Sequence, residues 1–92
     1  MDIAVIVPVY RGEKTLPELV ERIKETLADF YSFEVILVHD GGTELSWEII
    51  CKLKEAYGSL IKGIRLIRNF GQHNAILCGI EFADANFIVT ID

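Results

Sequence analysis

The sequence predicts a three-layer α/β/α domain, βαβαβαβ in chain order, built on a mainly parallel sheet. Two observations carry this reading. Apolar residues change period along the chain, from near-continuous β-branched runs to stretches spaced i, i+3, i+4, i+7. The two kinds of segment also alternate, and strands separated by helical stretches form βαβ units with right-handed crossovers. A length of 92 residues fits a single domain over 1–92 and leaves no room for a second.

The first strand is the apolar run 3–9, Ile-Ala-Val-Ile-Val-Pro-Val. From Leu16 the period becomes helical, with Leu16, Leu19, Val20, Ile23, Leu27 and Phe30 on one face. Thr15 with Glu18 three residues on matches a capping box, and Pro17 suits a first turn. Residues 33–38 read as a second strand, ending in His39-Asp40-Gly41-Gly42-Thr43. A second helix is expected over about 46–57, with Ile49, Ile50, Leu53, Ala56 and Tyr57 inward and Gly58 at its end. A third strand is expected at 64–67. A third helix follows over about 72–83, carrying Ala75, Ile76, Cys78, Gly79 and Phe82, and a fourth strand at 87–91.

Composition excludes several classes. Half the chain is apolar (51%) and only two residues are proline, which rules out a disordered segment. The net charge of −5 argues against a general nucleic-acid binder or a binder of anionic membranes. A mean hydropathy of +0.34 is high for so small a domain and suggests strands covered on both faces or a chain that packs against more protein. The first residues lack the basic region and cleavage site of a signal peptide, and no apolar stretch approaches the ~20 residues of a membrane span. A cytoplasmic setting is expected, with Cys51 and Cys78 as reduced, mostly buried thiols on helices.

In parallel α/β sheets, ligands bind outside the carboxyl ends of the strands. That rule gathers Pro8-Val9-Tyr10-Arg11, His39-Asp40-Gly41-Gly42, Arg68-Asn69-Phe70-Gly71 and Asp92 on one edge. Neither GxGxxG after the first strand nor a P-loop is present. Tyr10 offers a ring beside a flat base, and Asp40 an acceptor for a ring N–H or ribose hydroxyl. Gly41 permits close backbone approach, Arg68 supplies positive charge, and Asp92 suits a ribose or a divalent metal. Singly, each has a plainer reading as a rim residue, a turn or an ion pair; together they favour a polar ligand. His39 and His73 lack zinc spacing, and Ser46 and Ser59 suffice as a cap and a turn.

At these residues the sequence resembles a known family. The segments 6–10, 38–43, 68–75 and 88–92 occur in the order and spacing of glycosyltransferase family 2, and the match covers nearly the whole chain. Arg-Asn-Phe-Gly-Gln-His-Asn-Ala is most similar to the subgroup that glycosylates polyprenyl phosphates, the dolichol-phosphate mannose synthases and their bacterial relatives. The resemblance implies the Rossmann-like half of a GT-A fold, binding a UDP- or GDP-sugar donor for hexosyl transfer, with a polyprenyl phosphate as acceptor. It implies that Pro8, Val9, Tyr10 and Asp40 line the nucleoside pocket, beside the close backbone approach already read at Gly41, and that Arg68 lies near the base. Asp92 then matches the first aspartate of a DxD motif that holds the ribose or a Mg2+ or Mn2+ ion.

Three departures stand out. Arg11-Gly12-Glu13 follows the Pro-Val-Tyr segment where Asn-Glu is usual, so the acidic contact is either moved to Glu13 or lost. The usual Asp-Asp-Gly-Ser is His39-Asp40-Gly41-Gly42 here. The sequence stops at the first DxD aspartate, so donor binding without turnover is expected of these 92 residues. The alternative is a non-catalytic scaffold that self-associates through uncovered sheet surface.

Overall fold

The computed structural model describes residues 1–10, 14–41, 43–67 and 71–91. Four strands, β1 (Ile3–Val9), β2 (Phe33–His39), β3 (Ile61–Arg65) and β4 (Phe87–Thr90), alternate with α1 (Leu16–Leu27), α2 (Glu44–Tyr57) and α3 (Gln72–Phe82). The sheet is wholly parallel, in the order β3-β2-β1-β4. Every strand therefore ends at the same edge.

Alternation within the strands builds two cores. Val5, Val7 and Val9 of β1 and Phe33, Val35 and Leu37 of β2 face α1 and α2, meeting Leu16, Val20, Ile23, Ile50 and Leu53. Ala4 and Ile6, with Ile36 and Val38, face the opposite side and meet Ala75 of α3. β1 and β2 thus have apolar residues on both faces, which is why they read as continuous runs. α1 and α2 are joined where the Tyr57 hydroxyl donates to the Glu21 carboxylate, a bond that holds the phenol above its usual pKa.

α3 lies so close to the sheet that only a glycine fits between them. A Cβ on Gly79 would stand 2.6 Å from Cγ2 of Ile6 and 3.3 Å from Cγ2 of Val38. Alanine gains about 1 kcal/mol of helix propensity over glycine, so valine is the cleaner probe of the contact. Gly79→Val is expected to cost about 1–3 kcal/mol in urea melts through overpacking. Unchanged stability would mean that the close approach does not constrain α3.

The C-terminal end of α3 is moored by charge. Glu34, buried in β2, takes the Lys62 ammonium at 2.8 Å and the Asp84 N–H at 2.8 Å. Lys62 also donates to the Phe82 carbonyl at 3.0 Å. Burial alone would raise the Glu34 pKa, but the Lys62 hydrogen bond, the Asp84 N–H and the ammonium's charge outweigh it. The carboxyl is held below its ordinary value.

Several local expectations change. Thr15 precedes α1 with helical backbone angles and makes no side-chain cap bond, so the capping box does not form. α1 ends at Leu27, leaving Phe30 outside the helix and 78% exposed. α2 begins two residues before the expected start, capped by Thr43, and Ala56 faces solvent. β3 occupies Ile61–Arg65 rather than 64–67, because its pairing runs from Val35↔Ile61 to His39↔Arg65. Lys62 and Gly63 hid that strand; a Cβ on Gly63 would stand 2.9 Å from Ile50, so α2 crosses there closely. Phe82 is exposed, and so is Cys51, which sits on the outer side of α2. Cys78 is half-buried.

Candidate functional site

The site is built where β1 and β2 end. Val9 is buried, Pro8 half-buried, and the Tyr10 ring next in sequence is 47% exposed. The Asp40 N–H donates to the Val9 carbonyl at 2.9 Å, which carries the parallel ladder one residue past the end of β2. Asp40 is thereby set beside the β1 end, and only 3% of it is exposed. Gly41 follows at φ 70, a left-handed conformation that favours glycine and turns the chain sharply away from β2. A buried carboxylate, an exposed aromatic ring and a glycine turn therefore stand at neighbouring strand ends.

The turn leads straight into α2. Thr43 Oγ1 accepts the Ser46 N–H at 3.2 Å as the N-cap, and the Ser46 hydroxyl donates to the Thr43 carbonyl at 2.8 Å. His39, the last residue of β2, turns its buried ring into this cap: Nε2 lies 3.0 Å from both the Thr43 carbonyl oxygen and Ser46 Oγ. Trp47 meets the imidazole edge-on at 5.7 Å between ring centroids. The Arg65 guanidinium lies over the same indole at 5.4 Å and pairs with Glu44 of the first turn. The Leu66 N–H reaches the His39 carbonyl at 2.9 Å, so the β3 end joins the same edge.

Of the residues singled out from sequence, Pro8, Val9, Tyr10, Asp40 and Gly41 come together here. Glu13, Arg68 and Asp92 lie outside the described residues, as does Gly42. Among the described residues, no group of three His, Cys, Asp or Glu is placed to hold a metal ion. The His39–Thr43–Ser46 cluster is a feature the sequence did not disclose. Ser46 was legible as a cap; its burial at the third position of α2, beside a strand-end histidine, was the missing signal.

A four-stranded parallel sheet with helices on both faces and its strand ends gathered at one edge belongs to the doubly wound α/β class. Glycosyl transferase family 2 is the model that matches, over residues 4–92, and the chain belongs to that family. It is 37% identical over 91 residues to the undecaprenyl-phosphate 4-deoxy-4-formamido-L-arabinose transferase of Pseudomonas aeruginosa, covering 98% of this chain and 27% of the relative. The chain thus spans about a quarter of the length of the curated relatives it matches. Among solved structures, Staphylococcus aureus TarS 1–349 in complex with UDP-GlcNAc superposes with a TM-score of 0.84 at 28% identity, covering 100% of this chain and 26% of that one. The mannosyltransferase PcManGT of Pyrobaculum calidifontis, solved with GDP-Man and Mn2+, superposes at 0.77 with 21% identity over 89% of this chain and 24% of its own. The fold is the Rossmann-like, GT-A-type arrangement that the resemblance implied.

Proposed function

We propose that this chain, over 1–92, is the donor-binding part of a nucleotide-sugar-dependent glycosyltransferase. It holds a UDP- or GDP-sugar at the C-terminal ends of β1 and β2. One observation carries the reading: Asp40 is almost fully buried, yet stands at the ligand edge between the Tyr10 end of β1 and the Gly41 turn. A carboxylate screened from water accepts a ring N–H or ribose hydroxyl with more effect than an exposed one. Tyr10 gives the base an apolar face, Pro8 and Val9 are assigned to the nucleoside by family likeness, and Gly41 lets backbone approach the ligand.

The P. aeruginosa relative acts, by its name, on undecaprenyl phosphate, and TarS was solved with UDP-GlcNAc. The first supports a polyprenyl phosphate acceptor, which we place at the cytoplasmic face of a membrane; the second supports a hexosyl donor, since the arabinose of the first is a pentose. Among the described residues, no helix is long and apolar enough to cross that membrane. Glu13 and Arg68 are assigned to the donor by family likeness, and Asp92 to the donor and to Mg2+ or Mn2+. Among the described residues no group of three His, Cys, Asp or Glu is placed to hold such an ion, and Asp92 lies outside them.

Titration of the 15N-labelled chain with UDP, GDP and their sugars should shift the amides of Tyr10, Asp40 and Gly41 saturably. Silence at millimolar nucleotide would overturn the reading. Tyr10→Ala should weaken binding roughly fivefold, a loss of about 1 kcal/mol at the low end of base–aromatic stacking because the ring is a rim group. A second reading rests on β4, whose Phe87, Ile88 and Val89 are exposed and whose outer edge pairs with no described strand. Such an edge is a template for strand addition between copies. A strict monomer by light scattering at high concentration removes that alternative.

A further inference from the structure

We propose that His39, as its Nε2–H tautomer, is a positioning residue that ties the Thr43 cap to the end of β2 and so holds Asp40 and Gly41 in the shape presenting Asp40 to the nucleoside. The proposal rests on the donor-binding reading above and adds a residue that reading does not use. A carbonyl oxygen can only accept, so Nε2 at 3.0 Å from the Thr43 carbonyl must carry the hydrogen. The Ser46 hydroxyl points the same way. Its one hydrogen goes to the Thr43 carbonyl at 2.8 Å, which leaves Oγ to accept from Nε2 at 3.0 Å.

The ring thus closes a loop. One end is fixed in the sheet, where the His39 carbonyl takes the Leu66 N–H and the next residue's N–H reaches Val9. The other end is the N-cap of α2. Asp40 and Gly41 lie between, so the side-chain bond sets how far the turn can open.

Two further facts point to Nε2 as the reason for a histidine here. The ring is 1% exposed, and its other nitrogen, Nδ1, is buried without a hydrogen-bond partner among the described residues. An apolar side chain of similar bulk would fill this space without stranding a nitrogen, but it could not donate to Thr43.

The test uses the 15N-labelled 92-residue chain and two variants. Long-range histidine spectra should show a protonated Nε2 and a bare Nδ1 for His39. Glutamine carries its amide nitrogen where Nε2 lies, whereas asparagine carries it at the Nδ1 position and falls short of Thr43. His39→Gln should keep the Asp40 and Gly41 amide shifts near wild type, with UDP or GDP affinity within about twofold. His39→Asn should move those shifts and lose about fivefold or more in affinity while still folded. A purely structural role would lower the melting temperature of both variants and leave the affinity of the folded fraction alike. An Nδ1–H tautomer, or equal affinities for the two variants, overturns the proposal. If wild type binds neither nucleotide, the donor-binding reading fails by itself. The tautomer and the turn shifts of the Gln and Asn variants then decide whether His39 holds the turn.

Discussion

Lys62→Met should destabilise the chain by about 2–3 kcal/mol at pH 7, below the 3–5 typical of a broken buried pair because Lys62 is partly exposed. The substitution removes the ammonium and leaves the Glu34 carboxylate buried, with the Asp84 N–H as its remaining hydrogen-bond partner among the described residues. The sign of the pH dependence makes the test specific. In wild type the Glu34 pKa lies below its ordinary value of 4.5. The stability it contributes is therefore complete above that value and lost as pH falls through the lower folded pKa. Without Lys62 the burial that raises the Glu34 pKa is less opposed and the folded pKa moves up from its wild-type position, so the variant gains less stability than wild type as pH rises through that range. Urea melts should show the gap between the two proteins widening from acid to neutral pH. Adding Glu34→Gln to the variant should recover part of the loss. A pH-independent gap under 1 kcal/mol would make the pair an ordinary surface bridge.

The Glu34 clamp marks the limit of what the sequence disclosed. Element types and the parallel sheet were legible because β1 and β2 are apolar on both faces and α1 keeps a clean helical period. Glu34 broke no pattern, since one charge in an apolar run reads as an exposed strand position. Only the pairing of β2 with β3, which brings Lys62 within reach, explains its burial. The same pairing displaced the expected third strand: Ile64, Leu66 and Ile67 looked like its centre, yet Ile67 is 95% exposed beyond its end. Phe30 failed for a related reason, since helical spacing continues on paper past the residue where α1 stops.

At the site, the strand-end rule placed Tyr10, Asp40 and Gly41 on one edge without knowledge of strand order. A wholly parallel sheet puts all its C-termini there whichever strands are neighbours. What the rule could not supply was how the turn between β2 and α2 is held. That depends on His39, Thr43 and Ser46 meeting across a gap that no periodicity encodes.

Asp40→Ala should weaken UDP or GDP binding by about 10- to 100-fold, the range for a lost hydrogen bond to a charged group. The estimate follows from burial: at 3% exposure the carboxylate has little water to shed when a ligand donor arrives, and its replacement leaves that donor unpaired. Asp40→Asn separates charge from shape, since the amide keeps one acceptor oxygen, and it should lose less. Comparing nucleotides then locates the contact. A bond to a base N–H predicts unequal penalties for UDP and GDP, whose bases present their donors differently. A bond to the ribose predicts equal penalties, reduced for the 2′- or the 3′-deoxy nucleotide, whichever lacks the hydroxyl in contact. Calorimetry or NMR titration reads both comparisons. If Asp40→Ala binds both nucleotides within about twofold of wild type, the buried carboxylate is a structural group of the turn. The donor would then have to be held by other residues of the edge.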